Sequence, residues 1–536
     1  MTTVPALLMR LVEEQPEKEL VRFLEDGSSY SRREVLHLAI AAAGEYKALG
    51  VQPGDRIALM LGNGVDFLRY WFGAQLCAAV VVPVNTEMRG PILANILGEV
   101  EPRVIVVGRE AREQVEAVGP KAIVLQREES RPHKLSAPAL SAEELQAARQ
   151  ALAAVAPGTL AAIQYTSGTT GRSKGTMCSQ EMILNKAVGT QAVMNYGPDD
   201  VAFTALPLFH GNALFTTFVP ALRAGARVAV AGRFSASKFW HQVADSGATT
   251  VNLLGTMAEI LLRQPESAVE RAHSLRHCLC IPWPKDAAAM ERRFAVALTT
   301  LYGLTDSGTP LGVPFGQRRE GSCGRPLKSW ECRLIDAHDR EVPVGQAGEL
   351  VLRPREPFIE KLGYWGAPEE TVKSWRNLWF HTGDVMRQDA EGWFYFVDRT
   401  KDMIRRAGEN VSSFEVEQVM LLHPLVRQVA VIGVPSELGD DEVFAYVVPK
   451  EDPPAATAVL AEQLFDHCLD LLPYFAAPRF IKFVASLPRT ASEKVKKSEL
   501  RQGGIPPDAH DRGDSGRKAA LDRRSRGPRP APTASK

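Results

Sequence analysis

One short segment of the chain combines glycines, hydroxyl side chains and a lysine, a mixture that suits phosphate binding. This segment, YTSGTTGRSKG (165–175), follows the apolar run LAAIQ (160–164), which we expect to form a strand. Glycine lets backbone N–H groups turn towards an anion, hydroxyls donate further hydrogen bonds, and Lys174 adds positive charge. The spacing does not fit a Walker A loop, because Lys174 is followed by Gly175 rather than by Ser or Thr. The segment therefore predicts a phosphate-binding loop of another kind, and the alternative is a Ser/Thr/Gly-rich linker.

Alternating strands and helices are expected to position this loop. Short β-branched runs such as RIALML (56–61) and RVIVVG (103–108) are separated by longer amphipathic stretches. One of these, SRREVLHLAIAAAGEYKALG (31–50), begins at a serine suited to capping a helix and ends on glycine. The alternation predicts an α/β fold in which layered sheets and helices build a large N-terminal domain, residues 1–398.

A smaller α+β domain is expected to follow, over residues 399–502. Closely spaced strand candidates begin near residue 345, and a helix–strand–strand pattern occupies 414–449. The last segment, 503–536, has no aromatic residue and is rich in Pro, Gly and Arg, so it predicts a disordered tail. A nucleic-acid or membrane tether is the alternative for this segment, although nothing else in the chain supports it.

The composition favours a cytoplasmic enzyme with no nucleic-acid partner and no membrane span. Of the 536 residues, 63 are basic and 63 are acidic, so no net field draws the chain to nucleic acid or to an anionic membrane. The seven cysteines are scattered and lack a zinc-binding spacing, as expected of free thiols in a reducing cytosol. The acidic N-terminal segment does not resemble a signal peptide, and no apolar run approaches the ~20 residues of a spanning helix.

Six further motifs recur along the chain after the phosphate loop: LPLFH (206–210), YGLTD (302–306), GSCGRP (321–326), HTGD (381–384), FVDRTKDMIRRAGEN (396–410) and LPRTASEK (487–494). In order and spacing they resemble the adenylate-forming superfamily of acyl-CoA synthetases, peptide-synthetase adenylation domains and beetle luciferases. The stretch KDMIRRAGENVSSFEVE is most similar to bacterial ligases related to crotonobetaine/carnitine–CoA ligase. The resemblance implies an ATP-dependent ligase with a mobile small domain, which forms an acyl-adenylate, passes the acyl group to coenzyme A and releases AMP and pyrophosphate.

The resemblance assigns the phosphate and metal contacts residue by residue. Thr305 contacts the α-phosphate, while Thr166 and Asp306 hold Mg²⁺. Asp306 stands where the family usually has Glu, so its carboxylate reaches less far towards the metal. The β- and γ-phosphates are held by seven residues of the loop: Thr166, Ser167, Gly168, Thr169, Thr170, Gly171 and Lys174.

The nucleoside is assigned to three residues. Tyr302 resembles the aromatic residue that stacks on adenine, and Asp384 resembles the acid that accepts both ribose hydroxyls as donors. Arg399 approaches the same ribose. Without their motifs, Tyr302 would be interpreted as a core aromatic, and Asp384 and Arg399 as members of surface salt bridges.

The small domain is implied to serve both half-reactions. Lys401 lies at the hinge on which this domain rotates between adenylation and thiol attack. Arg405 and Gly408 lie in the loop that lines the pantetheine tunnel. Arg405 and Arg406 either contact CoA phosphates or form a solvated basic pair.

Lys494 is the predicted catalytic residue of adenylation. By resemblance its ammonium reaches the α-phosphate and the attacking carboxylate, where negative charge gathers. Glu493 replaces the glycine that usually precedes this lysine, and an adjacent acid could draw the ammonium away from phosphate. Lys496 and Lys497 are competing alignments that fit the motif spacing less well.

The acid that is activated is expected to be small or flat, such as an aromatic acid. His210, which we assign to the reacting end of the site, opens the acyl pocket together with residues 252–257, 280–283 and 308–311. Trp283 is flanked by two prolines and therefore rigid, so it narrows the pocket or replaces adenine contacts.

Two other functions stay open at this point. The first is an enzyme that loads the acyl group onto a carrier protein supplied by another chain. The second is a nucleotide- or acyl-binding protein with weakened catalysis, because Asp306 and Glu493 both depart from the family pattern.

Overall fold

The computed structural model describes residues 3–127, 140–153, 155–166, 173–284, 286–399, 403–406, 408–436, 439–450, 457–488, 495 and 497–513. These residues divide into two compact units. One consists of the residues up to 399 except 87–93, and the other of those from 403 onwards together with 87–93. The predicted α/β fold, with a large N-terminal and a small C-terminal domain, is confirmed. The domain boundary that we predicted after residue 398 lies close to the division between the units.

Two mainly parallel sheets form the centre of the large unit. In spatial order the first contains Ala297–Thr299, His277–Ile281, Thr250–Leu254, Val201–Thr204, Arg227–Val230, Glu19–Phe23 and Ser29–Ser31. The second contains Ile123–Arg127, Val104–Gly108, Arg56–Met60, Val80–Pro83, Leu160–Thr166 and Lys174–Ser179. Every pair is parallel except the last pair of each sheet. The carboxyl edges of such sheets are where α/β proteins usually bind ligands.

Two antiparallel sheets complete the large unit. Three strands form one of them: Leu301–Leu304, Gly308–Gly312 and Arg325–Pro326. The other contains Trp330–Ile335, Ala347–Pro354, Trp379–Gln388 and Trp375–Arg376, with Phe394–Arg399 also paired to Trp379–Gln388. Three of the motifs recognised in the sequence, at 302–306, 321–326 and 381–384, lie on or beside these strands.

The small unit has a sheet of its own. In spatial order its strands are Val426–Pro435, Asp441–Pro449, Phe480–Phe483 and His510–Asp511, and a separate hairpin pairs Met403–Arg406 with Glu409–Ser412. The structure therefore continues this sheet beyond residue 503, where we expected a disordered tail to begin. Arg512 holds the end of the segment, since its Nε donates to the carbonyl oxygen of Pro478 at 3.0 Å. Residues 514–536 lie outside the described residues.

The helices are mostly short and cover the sheets. Their bounds are Val4–Glu14, Arg32–Ala48, Val65–Leu76, Gly90–Val100, Arg112–Val118, Ala142–Ala153, Gln180–Met194, Gly211–Ala213, Val219–Ala224, Phe239–Ser246, Gly255–Leu262, Ala287–Phe294, Pro368–Ser374, Ser413–Leu421, Thr457–Leu471 and Lys497–Gln502, with 3₁₀ turns at Arg109–Ala111 and Ala268–Arg271 and a π turn at Leu214–Phe218. The predicted serine cap is present, because Ser31 and Glu34 form a reciprocal capping box. Among the described residues, no helix has the length and apolarity needed to cross a bilayer.

Candidate active site

Two antiparallel strands carry the start and the end of the predicted phosphate loop. Thr166 ends one strand and Lys174 begins its antiparallel partner, with the two residues opposite each other in register. The ammonium of Lys174 forms an ion pair with Glu370, and it lies 5.0 Å from the centre of the Tyr364 ring. About a quarter of the Lys174 side chain is exposed. The geometry thus presents a partly exposed cation at the end of the predicted loop segment.

A second segment places the Asp306 carboxylate beside these strands. The hydroxyl of Thr176, two residues beyond Lys174, donates to Asp306 Oδ1 at 2.7 Å. The Tyr364 side chain lies near the Asp306 carboxylate. Burial, with the negative charge of Asp306 beside it, raises the pKa of Tyr364 far above its usual value, so Tyr364 stays a neutral donor. The Thr176 hydroxyl fixes the orientation of the carboxylate.

Backbone contacts explain why these side chains meet. Thr176 and Tyr364 form an antiparallel β-bridge, and the Met177 N–H donates to the Gly363 carbonyl oxygen at 3.0 Å. The N–H of Lys361 donates to the carbonyl oxygen of Asp306 at 3.1 Å. The segment from 361 to 364 therefore ties these strands to the YGLTD motif.

A buried ion pair lies beneath Asp306. The Lys361 ammonium is 3.4 Å from the centre of the Phe380 ring and 5.1 Å from that of Trp375, and the residue is 2% exposed. It is 3.7 Å from Glu360 Oε1, which also accepts a hydrogen bond from Trp375 Nε1 at 2.7 Å. Burial lowers the pKa of Lys361, while the charges of Asp306 and Glu360 oppose that shift. Burial raises the pKa of the Glu360 carboxyl to about 7, against the attraction of Lys361.

Substitution of Glu360 by glutamine is expected to change how stability depends on pH. The folded chain keeps a proton on Glu360 up to about pH 7, whereas an ordinary glutamate releases it near pH 4.5. Folding therefore takes up a proton across this interval, and the free energy of unfolding of the wild type falls as the pH rises, by about 3 kcal/mol in all. E360Q should lack this slope in urea titrations between pH 4.5 and 8. Parallel curves for the two proteins would contradict the prediction.

Tyr302 and Asp384 form a buried pair. Tyr302 lies on the strand Leu301–Leu304, and its hydroxyl donates to Asp384 Oδ2 at 2.6 Å. Asp384 is 2% exposed and Tyr302 is 9% exposed. The Tyr302 ring packs in the core cluster of the antiparallel sheets. The structure thus brings together the residues that the sequence assigns to adenine and to ribose.

A buried lysine donates a hydrogen bond to the backbone of Thr305. Lys186, on the helix Gln180–Met194, donates from Nζ to the Thr305 carbonyl oxygen at 3.1 Å. Its ammonium also lies 5.6 Å from the centre of the Phe215 ring. Burial lowers the pKa of Lys186. Lys186 therefore positions the backbone at the YGLTD motif.

The predicted acyl region lies where several strands of the first parallel sheet end. His210 directly precedes the helix that begins at Gly211, and its ring lies 4.9 Å from that of Phe209. Asn252, in the middle of its strand, is 1% exposed. The indole of Trp283 packs against the core of the large unit, and its buried Nε1 has no hydrogen-bond acceptor among the residues that the structure describes.

Arg406, one of the two basic residues of the predicted tunnel loop, is bound within the small unit. Arg406 donates to the carbonyl oxygens of Tyr474, Phe475 and Ala477 and forms an ion pair with Glu442 at 2.7 Å. It is therefore a structural residue of this unit, and the suggestion that it contacts CoA phosphates or is solvated does not fit.

The predicted tunnel loop turns at Gly408. Gly408 has φ +80°, a left-handed conformation that favours glycine, and its N–H donates to Asp440 Oδ2 at 3.1 Å. The N–H of Arg405 donates to Asp441 Oδ2 at 3.3 Å. Two aspartates thus hold the predicted tunnel loop.

Lys497, a competing candidate for the catalytic lysine, is occupied within the small unit. Its ammonium lies 2.6 Å from Glu417 Oε1 and 2.8 Å from Ser413 Oγ. These contacts give Lys497 a structural role.

Other predicted residues lie outside the described ones: Ser167, Gly168, Thr169, Thr170, Gly171, Lys401, Glu493, Lys494 and Lys496. Only the backbone is described for Thr166 and Arg399, which end their strands.

Sequence reasoning missed three residues that hold Asp306 or lie beside it. Thr176 continues the strand that begins at Lys174, so period-two alternation places its side chain on the same face and was a usable signal. Lys361 is one of two charges in the otherwise apolar run FIEKLGYW, a pattern that indicates a buried ion pair. Tyr364 gave no such signal, because its partner is 58 positions away.

The described residues combine carboxylates beside the predicted phosphate loop with an aromatic–carboxylate pair, and among them no group of three potential metal ligands is present. Three carboxylates (Asp306, Glu360 and Glu370) lie near two ammonium groups, Lys174 and Lys361, so the charges balance while Glu360 keeps its proton and one negative charge is in excess when it is ionised. Carboxylate oxygens are the ligands that Mg²⁺ prefers. The buried Tyr302–Asp384 pair offers an aromatic ring and a carboxylate within one contact, as a nucleoside requires.

Comparison with known proteins agrees with this geometry. The sequence model of the AMP-binding enzyme family matches residues 8–365, and that of the AMP-binding enzyme C-terminal domain matches residues 415–494. The chain is 31% identical over 510 residues to a sulfoacetate–CoA ligase of Cupriavidus necator, covering 93% of this chain and 97% of the relative. It is 31% identical over 478 residues to a crotonobetaine/carnitine–CoA ligase of Salmonella typhi, covering 84% and 89%.

Solved structures show the same fold. The o-succinylbenzoate CoA synthetase of Bacillus subtilis, bound to a product analogue, matches with a TM-score of 0.77 and 24% identity over 92% of this chain and 98% of that one. ATP-bound MatB of Rhodopseudomonas palustris matches with a TM-score of 0.66 and 26% identity over 94% and 99%. The resemblance predicted from the sequence is confirmed, and the chain belongs to the AMP-binding enzyme family.

Proposed function

We propose that this protein is an AMP-forming carboxylic acid–CoA ligase. The observation that carries the proposal is the convergence of Lys174, Asp306 and the Tyr302–Asp384 pair in one unit of a family member. ATP and coenzyme A are the co-substrates that this family membership implies. The reaction joins the acid to the α-phosphate, releases pyrophosphate, and then exchanges AMP for the CoA thiol.

The first half-reaction brings two anions together, so the residues act by neutralising charge and by orienting the reactants. Lys174 and the phosphate loop hold the β- and γ-phosphates. Thr305 donates to the α-phosphate from a backbone that Lys186 fixes through a 3.1 Å hydrogen bond. Lys494 adds positive charge between the α-phosphate and the attacking carboxylate. His210 lies at the start of the acyl region and orients the acid.

The nucleoside is held by groups that the fold preorders. Asp384 accepts the ribose hydroxyls, and the Tyr302 ring lies against the adenine while its hydroxyl fixes Asp384. Arg399 approaches the ribose from the end of its strand.

Asp306 and Thr166 would hold the magnesium ion that accompanies ATP. When bound, this ion would neutralise phosphate charge and help to align the leaving pyrophosphate. The hydroxyl of Thr176 orients the shorter aspartate side chain.

Substitution of Thr176 by valine is expected to weaken the binding of magnesium at the proposed site. Valine keeps the shape but removes a hydrogen bond to a charged group, worth about 1.5–3 kcal/mol, so the half-saturating magnesium concentration should rise about tenfold or more. Acid-dependent ATP–pyrophosphate exchange over a magnesium titration measures this change. T176S retains the hydroxyl and should behave as the wild type, whereas equal loss in both variants would contradict a role for the hydrogen bond.

Coenzyme A is favoured over a carrier-protein thiol as the acyl acceptor. The relatives named above are CoA ligases, which supports a free thiol substrate. Within the small unit, Arg405 and Gly408 lie in the hairpin that is proposed to line the pantetheine path, and Lys401 is the proposed hinge. Mass analysis of the products with CoA and with a phosphopantetheinylated carrier separates the two acceptors.

The deciding experiment is ATP–pyrophosphate exchange measured over a panel of small aliphatic and aromatic acids, with and without magnesium. Exchange that requires both an acid and magnesium supports a ligase. Nucleotide binding without exchange for any acid would instead indicate a binding protein with weakened catalysis and would overturn the proposal.

A further inference from the structure

A cluster of uncharged polar side chains is buried beside His210. Its members are Gln164, Asn212, Thr217 and Asn252, all in the large unit. Asn252 is 1% exposed, Thr217 is 1% exposed and Gln164 is 6% exposed. Buried amides normally find hydrogen-bond partners within the protein. Two oxygen atoms of this cluster, Asn252 Oδ1 and Gln164 Oε1, find no donor among the residues that the structure describes.

The orientation of the Asn252 amide is fixed by its neighbours. Its Nδ2 donates to Asn212 Oδ1 at 2.5 Å and to Thr217 Oγ1 at 3.1 Å. The Thr217 hydroxyl directs its own proton to the Asn212 carbonyl oxygen at 3.3 Å, five residues earlier across the π turn Leu214–Phe218. Thr217 thus accepts from Asn252 while it donates to Asn212. Asn252 Oδ1 is thus left as an acceptor.

Gln164 supplies the second acceptor from a different strand. It lies near the end of Leu160–Thr166, the strand that leads into the phosphate loop. A methyl group on Gly211 would lie 3.0 Å from Gln164 Oε1, so the glycine at this position allows the amide to approach the residue that follows His210. Gln164 therefore links the cluster to both the phosphate loop and the predicted acyl region.

We infer that Gln164 and Asn252 select a carboxylic acid whose body carries a neutral hydrogen-bond donor, that is, a hydroxyl or an aromatic amino group. This inference rests on the proposed ligase function and names the substrate class of that same site. A donor on the acid satisfies the two acceptors, whereas a methyl group leaves them buried and unpaired. The four cluster residues are uncharged, so they match a neutral group rather than a sulfonate or a quaternary ammonium.

Matched acids test this inference in the wild-type protein. Each hydroxylated acid is compared with its methyl isostere: lactate with 2-methylpropanoate, 3-hydroxybutanoate with 3-methylbutanoate, and the three hydroxybenzoates with the three methylbenzoates. For the best-fitting pair, kcat/KM in pyrophosphate exchange should favour the hydroxylated acid by about 100-fold. Equal rates, or a preference for the methyl acid in every pair, would overturn the inference and leave the ligase proposal intact. If none of the acids supports exchange, the ligase proposal itself is overturned.

Variants of the cluster residues test whether the preference for the hydroxylated acid depends on this cluster. N252L and Q164L should each reduce the preference at least tenfold, through loss of rate with the hydroxylated acid and little change with its isostere. N185L is the matched control, because Asn185 is a buried asparagine whose amide donates to Ser329 Oγ, outside the cluster. It should keep the wild-type preference. Circular dichroism and retained ATP binding show that each variant is folded, and an unchanged preference in both folded cluster variants would contradict the assignment.

Discussion

Replacement of Lys494 by alanine is expected to lower the rate of acyl-adenylate formation by about 100- to 1000-fold, the usual effect of removing one group that stabilises developing charge. The α-phosphate and the attacking carboxylate are both anionic, and the ammonium is proposed to lie between them in the first half-reaction alone. Thioester formation from a supplied acyl-adenylate should therefore proceed at nearly the wild-type rate. Rapid-quench assays of the two half-reactions measure each rate separately.

Lys497 provides a matched control in the same segment. Its ammonium is bound to Glu417 and Ser413, so K497A removes a nearby positive charge and loosens the small unit without touching the reactants. K497A should lower the melting temperature and slow both half-reactions little. If K494A and K497A slow both half-reactions to the same extent, the assignment of Lys494 to adenylation is wrong.

Replacement of Asp384 by alanine is expected to reduce kcat/KM for ATP by about 100-fold or more. A hydrogen bond to a charged acceptor contributes about 1.5–3 kcal/mol, and two ribose hydroxyls would lose theirs. The Tyr302 hydroxyl would also lose its acceptor in a site where Asp384 is 2% exposed. Equilibrium binding of ATP, measured by calorimetry, should weaken in parallel with kcat/KM.

Tyr302→Phe separates the effect of the Tyr302–Asp384 hydrogen bond from that of the proposed contact between Asp384 and the ribose. This variant removes the 2.6 Å hydrogen bond but keeps both the Asp384 carboxylate and the ring proposed to face adenine. It should cost less than tenfold in ATP affinity, since the neutral donor contributes only about 0.5–1.5 kcal/mol. If Y302F weakens ATP binding as much as D384A does, Asp384 acts through Tyr302 and not through the ribose.

Local sequence signals were sufficient for several parts of the fold. The serine cap at Ser31, the strands around residues 56–61 and 103–108, and the helix–strand–strand order after residue 413 appear in the structure as predicted. Each depends on periodicity or capping within a few residues, which a single chain displays directly. The predicted tail, from residue 503, contains the described strand His510–Asp511, and a two-residue edge strand has no periodicity of its own that a sequence could show.

The sequence by itself determined the family and the type of chemistry, because motifs such as YTSGTTGRSKG and HTGD combine residue types at spacings that only that chemistry requires. The tertiary structure decided which side chains serve one another. Thr176 and Asp306 are 130 positions apart, and Asn252 receives its orientation from a π turn some 35 residues earlier. Such partnerships arise from how strands and turns pack across long sequence separations, and no local pattern encodes them.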